Sequence, residues 1–191
     1  MHICIIVGSL SRESINRRLA LALAPRFEAQ GATVTQIPID ALPMYNRDIE
    51  DPMPEAVAEY HAAIDAQDGI EFVTPEYNRT FSSAMKNATE WGARPPASAS
   101  LPGKPAAVTG ATPGRLLTIG AQQHLRANLS AIGMPVAPAE LYVQFDDNHF
   151  PADGSIADTS TQDSIDRWVE KVIAHFKACL LYTSPSPRDR G

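Results

Sequence analysis

Residues 8–16, GSLSRESIN, put the hydroxyls of Ser9, Ser11 and Ser14 and the amide of Asn16 into one turn, with Arg12 among them. The turn separates an apolar run from a helical pattern, so it sits where the first N–H groups of a helix lack partners and the helix dipole is positive. Such a place attracts an anion, and a phosphate monoester suits the donors on offer. Ordinary capping by Ser11 or Ser14 accounts for the same residues equally well. The loop is neither GxxxxGK[ST] nor GxGxxG, which argues against a nucleoside triphosphate kinase and a directly bound dinucleotide and leaves a mononucleotide phosphate.

Two further stretches share this richness in turn residues. In TPEYNRTFSSAMKNATEW (74–91), Pro75 imposes an extended exit from a strand. Tyr77 and Asn78 can there offer backbone N–H and C=O groups to the edge of a flat heteroaromatic ring, and Ser82 reads as the cap of the next helix. In TGATPGRLL (109–117), two glycines and a proline let the backbone come close to a ligand, and Arg115 is the one charge. No acid–base or nucleophilic constellation accompanies them. The five histidines (2, 61, 124, 149 and 175) are scattered and show no HExxH or other metal spacing. There is no GxSxG elbow, and the phosphate-cradling Cys-x5-Arg loop is ruled out because Gly8 follows the strand.

The elements that must position these loops alternate along the chain. His2–Val7 is a continuous apolar run, as in a strand buried on both faces. Residues 14–30 follow with Ile15, Leu19, Leu23 and Phe27 four apart, a helical stripe. Thr33–Ile37 reads as a second strand, 38–52 as a Pro/Asp-rich loop, Pro54–Gln67 as a helix and Gly69–Thr74 as a third strand. A short helix is expected over Ser82–Trp91, a strand over Lys104–Thr109 and a helix over Leu116–Ile132. A strand over Leu141–Gln144 and a last helix over 160–178 complete the series. Five strands alternating with five helices imply parallel βαβ units with helices on both faces of one sheet. Ligands bind such sheets beyond the carboxyl ends of the strands, where these three loops fall.

The 191 residues suit one domain with a full core. A net charge of −6 argues against nucleic acid as a partner. No run approaches a membrane span of about 20 apolar residues, and no export signal precedes the first strand. Two cysteines, Cys4 and Cys179, make no disulfide framework, which fits a reducing cytoplasm. From Cys179 the chain reads CLLYTSPSPRDRG, and CLLYTSPSPRD resembles a translated sequencing adapter. Residues 1–178 are therefore expected to form the domain and 179–191 a non-native, disordered tail. Without the tail the net charge is −7.

GSLSRESINRRLA, then TPEYNRTFSSAMKNATEW, then TGATPGR followed by QQHLR resemble, in that order and spacing, the NADPH-dependent FMN reductase family. This flavodoxin-like group includes quinone, chromate and azo-dye reductases. The resemblance runs from about residue 1 to 178, and Pro75–Asn78 with Met85–Trp91 is its most specific part. It implies a flavodoxin-like α/β three-layer sandwich with strand order 2-1-3-4-5, bound FMN, and a homodimer or homotetramer. It assigns the FMN phosphate to Ser9, Ser11, Ser14, Ile15 (through its backbone N–H) and Asn16. The charged contact falls to Arg12, one place later than the Arg of many members. It assigns the isoalloxazine to Pro75, Glu76, Tyr77 and Asn78 on one side, and to Thr112, Gly114 and Arg115 on the other. Ser82-Ser83 replaces the usual Pro-Gly, and Leu116-Leu117-Thr118 replaces frequent glycines.

The function implied is hydride transfer from NADPH or NADH, through bound FMN, to a flavin, quinone, azo compound or metal oxyanion. Arg115 would help hold the dinucleotide phosphate. Such chemistry lies in the cofactors, which agrees with the missing acid–base constellation. A flavodoxin-type electron carrier without its own NADPH site is the alternative. The chain's mild acidity and its PEYN and KNA motifs weigh against that alternative. A phosphate-binding scaffold without activity is a third reading.

Overall fold

The computed structural model describes residues 1–151 and 153–183. Five strands form one sheet: β1 (His2–Val7), β2 (Thr33–Gln36), β3 (Gly69–Val73), β4 (Ala106–Thr112) and β5 (Tyr142–Gln144). Their order is β2-β1-β3-β4-β5, and every neighbouring pair is parallel. The register aligns Ile5 with Glu71 and Glu71 with Ala107, which brings the carboxyl ends of β1, β3 and β4 to one rim.

The helices divide between the faces. α1 (Ile15–Ala29) and α5 (Thr159–Thr183) cover one side. There Leu19, Leu23 and Phe27 meet Val169, Val172 and Phe176 over Ile3, Ile5 and Ala107. Gly69 makes room for this contact, because a β-carbon there would stand 2.5 Å from the Phe176 ring. α2 (Glu55–Asp65), α3 (Ser83–Gly92) and α4 (Ile119–Ile132) cover the other side, burying Tyr60, Ile64, Trp91 and Leu125 against Cys4, Ile6, Ile70 and Phe72. The central strands are apolar on both faces because both are covered.

Three boundaries differ from the sequence reading by more than two residues. β4 continues through Gly110 and Ala111 to Thr112, because those residues pair with Tyr142–Gln144. α4 begins at Ile119, not Leu116: Leu117 takes a left-handed φ of 55°, which no α-helix accommodates. Leu116 and Ile119 are both exposed, so their apolar character carries no core signal. α5 passes Ala178 and includes Cys179–Thr183, which were expected to be disordered. The remainder of the expected tail, residues 184–191, lies outside the described residues.

Candidate functional site: three strand-end loops around one cleft

A cleft of about 300 Å³ opens at the rim where β1, β3 and β4 end. Ser9, Ser11, Ser14, Ile15 and Asn16 line it from the first loop, Pro75, Glu76 and Tyr77 from the second, and Thr112 from the third. Nine of the thirteen residues singled out in the sequence thus meet in one place. Arg12, Asn78, Gly114 and Arg115 are exposed and outside this lining. Pro113, the proline of the third loop, also lines it, as do Glu13 and Ala111, which no feature of the sequence marked.

The loops fit together without side chains at two points. A β-carbon on Gly8 would come within 3.0 Å of the Ser82 hydroxyl and 3.1 Å of Met85. One on Gly110 would stand 2.1 Å from the Thr74 carbonyl oxygen. Neither glycine has a positive φ; what each position requires is close approach of neighbouring chain.

Three helices begin at this rim, and the N-termini of two are joined to a neighbouring loop. At α3, Ser82 Oγ accepts from the Met85 N–H at 3.1 Å and donates to the Gly8 carbonyl at 2.5 Å, tying the helix to the first loop. At α4, the Glu76 carboxylate accepts from the Ala121 N–H at 3.1 Å and stands 3.4 Å from Arg79. Gly120 permits this docking, since a β-carbon there would meet the Arg79 carbonyl at 2.7 Å. At α1 the cap makes the same bond as at α3, but its hydroxyl has no second partner among the described residues. Ser14 Oγ accepts from the Arg17 N–H at 3.2 Å, which leaves its hydroxyl proton free to donate. The N–H groups of Ile15 and Asn16 have no acceptor within the helix, and no acidic residue occupies the first turn. Helix dipole, free N–H groups and three serines therefore converge on α1, an arrangement suited to an anion.

Two residues read as ligands have their side chains engaged in the protein. The Asn16 amide donates to the Ala111 carbonyl at 3.0 Å and accepts from the Ala111 N–H at 2.9 Å, so it braces the first loop against β4. Glu76 joins the second loop to α4. Tyr77 differs from expectation too. Its N–H and C=O both bond to Thr80, at 2.9 and 3.1 Å, closing a tight turn. Of the backbone groups expected for a ring edge, those of Tyr77 are thus spent within that turn, and those of Asn78 are not. Asn78 and Arg79 form its apex, with φ of 49° and 68°. What Tyr77 presents is its ring, 53% exposed beside the cleft.

The KNATEW segment also gains a physical role. Asn87 accepts from the Tyr45 N–H at 2.7 Å and donates to the Pro43 carbonyl at 2.9 Å. The Trp91 indole N–H donates to the same carbonyl at 2.8 Å. Together they pin the long loop after β2 to α3.

No cysteine lines the cleft. The Cys4 thiol lies in the core, and burial pushes its pKa up to about 12. Among the described residues no three His, Cys, Asp or Glu side chains group as metal ligands. The arrangement can hold an anion at one end and a flat group between Tyr77 and Thr112 at the other. Its volume is at the lower bound of small-ligand sites, about 300–1,000 Å³.

Comparison with known proteins points the same way. The sequence profile of the NADPH-dependent FMN reductase family matches residues 1–148. A 2-hydroxy-1,4-benzoquinone reductase from a Burkholderia species is 33% identical over 175 residues, spanning 91% of this chain and 95% of its own. An NAD(P)H-dependent FMN reductase from Pseudomonas aeruginosa is 35% identical over 167 residues, spanning 86% and 89%. Among solved structures, the flavoenzyme NAD(P)H:(acceptor) oxidoreductase FerB from Paracoccus denitrificans superposes with a TM-score of 0.88 at 32% identity. The match covers 93% of this chain and 97% of that one.

Proposed function

The chain belongs to the NADPH-dependent FMN reductase family, and from that premise we propose that it reduces a quinone or related small acceptor with electrons from NAD(P)H, using FMN held in the cleft at the rim of β1, β3 and β4. FMN, when bound, supplies the redox chemistry: it takes up hydride equivalents from a reduced nicotinamide and passes them to the acceptor. The chain's own residues bind and orient. Ser9, Ser11 and Ser14 donate hydroxyl protons to the phosphate, and the N–H groups of Ile15 and Asn16 add to them at the positive end of α1. Pro75, the backbone of Glu76, the Tyr77 ring and Thr112 flank the tricyclic ring system. Arg12, Asn78, Gly114 and Arg115 stand at the margin of the cleft, where they reach a bound dinucleotide more readily than the buried phosphate.

The observation that most supports this reading is the contrast among the three helix N-termini. Ser82 spends its hydroxyl proton on the Gly8 carbonyl and Glu76 docks on α4, whereas Ser14, the equivalent cap of α1, keeps its hydroxyl proton for an anion beside a slot for a planar ring. The quinone as acceptor follows the relatives that carry that name. A homodimer or homotetramer in the cytoplasm completes the proposal. Among the described residues no helix is long and apolar enough to cross a membrane.

The test is direct. Purified protein, reconstituted with FMN and freed of excess, should be yellow, and anaerobic NADPH should bleach its visible band. In air it should oxidise NADPH with a benzoquinone through many turnovers. A protein that takes up no FMN, or that holds FMN without reacting with either nicotinamide, would refute the reading.

A further inference from the structure

A groove of about 690 Å³ lies along β5, lined by every residue from Leu141 to Asp146 and by the first two turns of α5. β5 ends the sheet, so one of its edges has no neighbouring strand. Residues of a strand turn their backbone groups alternately to one side and the other. The Phe145 N–H donates to the Thr112 carbonyl at 3.0 Å, which commits Leu141, Val143 and Phe145 to β4. The N–H and C=O groups of Tyr142 and Gln144 therefore point to the open edge, where no described residue bonds them. The floor beside them is apolar, made by the core residues Val143, Phe145 and Ile165.

Charge sets this edge apart. From Glu140 to Asp166 the sequence has seven carboxylates and no lysine or arginine, so 27 residues carry more negative charge than the whole chain's net −6. Arg18 and Arg26 of α1 pair with Asp147 and Asp166. Asp146 and Asp158, which line the groove, form no ion pair among the described residues. Asp146 accepts from the Asn148 N–H at 2.8 Å, and Asp158 from the Thr161 N–H at 2.7 Å. The Asn148 N–H holds the Asp146 carboxyl below the usual carboxylate range, and the Thr161 hydroxyl and N–H do the same for Asp158, so both are ionised at neutral pH. Charges beside an edge strand also discourage self-pairing, but that role needs no hollow floored by core residues.

We propose that the free edge of β5 docks an extended, basic segment of another protein, added to the sheet as a sixth strand. Each feature of the groove fits one part of such a segment. Its backbone bonds Tyr142 and Gln144, which gives affinity, while its alternate side chains give specificity. Those on one face rest on Val143, Phe145 and Ile165 and are therefore apolar. Lysine or arginine at its ends meets Asp146 and Asp158. A second copy of this chain is the poorer occupant. Two-fold pairing of β5 with itself would set one seven-carboxylate stretch beside another with no lysine or arginine between them, and like charges across an interface suppress association. The proposed homodimer is then left to form through another face.

The test titrates the FMN-loaded full chain by calorimetry with the peptide Lys-Lys-Val-Thr-Val-Lys-Lys, blocked at both ends. Two controls keep its length: Glu-Glu-Val-Thr-Val-Glu-Glu, and the basic peptide with its three central peptide nitrogens methylated, which removes the donors a ladder needs. The basic peptide should bind at least about tenfold tighter than either. Asp146→Asn combined with Asp158→Asn removes both charges and keeps an oxygen for the Asn148 and Thr161 N–H groups. It should weaken binding about tenfold at low salt, and the difference should shrink as salt rises. Gln144→Pro removes one outward N–H without touching a bond to β4, and should weaken binding about fivefold. FMN affinity and quinone turnover should keep wild-type values in both variants. The proposal is overturned if the basic peptide is not bound, if either control peptide binds as tightly, or if either variant binds it as the wild type does. It is also overturned if Gln144→Pro changes the mass of the assembly in sedimentation, which would give the edge to a second copy.

Discussion

Glu71 offers a measurable pH signature. It sits in the middle of β3, wholly buried, between Ile5 and Ala107 of the flanking strands. Neither carboxyl oxygen has a hydrogen-bond partner. Burial pushes its pKa well above the ordinary 4.5, and the positive charge of Arg126 opposes the shift only in part. The native protein therefore keeps a proton that the unfolded chain releases above pH 4.5. Where the unfolded state binds fewer protons, stability falls as pH rises, so the protein is most secure on the acid side of this window. The slope is about 1.4 kcal/mol per pH unit until Glu71 ionises in place. Glu71→Gln removes the titration and keeps the shape; Glu71→Leu also removes the unpaired polar atoms, a gain of about 1–3 kcal/mol. Urea unfolding of the three proteins at pH 5.5 and 6.5, followed by far-ultraviolet circular dichroism, reads the difference. The gap between Glu71→Gln and wild type should widen by about 1.4 kcal/mol over that unit, and Glu71→Leu should be the most stable at the higher pH. Parallel pH profiles, or a variant weaker than wild type at pH 6.5, would show that the carboxylate is charged and held by Arg126, and the reasoning would fail.

Three substitutions at the rim follow from its contacts. Gly110→Ala drives a β-carbon into the Thr74 carbonyl; it should cost about 3 kcal/mol in urea unfolding and weaken FMN binding as Pro75 shifts. Asn16→Ala strands the buried backbone groups of Ala111 at a cost of about 2–3 kcal/mol, and Asn16→Asp should do no better, since a carboxylate cannot donate to the Ala111 carbonyl. Ser14→Ala removes the cap of α1, about 1 kcal/mol of stability. It should also lower the affinity for FMN but not for riboflavin, which fluorescence titration with the two flavins distinguishes.

The alternation of elements was legible because both periodicities were unbroken, and the buried parallel strands announced themselves as apolar runs. The errors cluster where an apolar residue does something other than fill the core. Leu116 and Leu117 continue a helical pattern on paper, yet one is exposed and the other is left-handed. The site was legible as a set of loops but less so as a set of roles. A sequence counts donors and acceptors near one another in the chain; it does not show that Asn16 meets Ala111, 95 residues away, or that Glu76 meets Ala121, 45 residues away. Both residues were read as ligands because polar groups in a loop look alike until their partners are known.

That distinction bears on how the cleft works. Asn16 ties the first loop to the third strand-end, Ser82 ties the second to the first, and Glu76 ties the second to α4. Each of the three loops is thereby braced by a neighbour through a side chain that is itself buried or nearly so. Such bracing fixes the serines and free N–H groups of α1 before any ligand arrives, so binding an anion there need not order the loops first. The polar richness of GSLSRESIN thus serves two ends: Asn16 and the Ser14 cap build the turn, and the groups they leave free face the cleft.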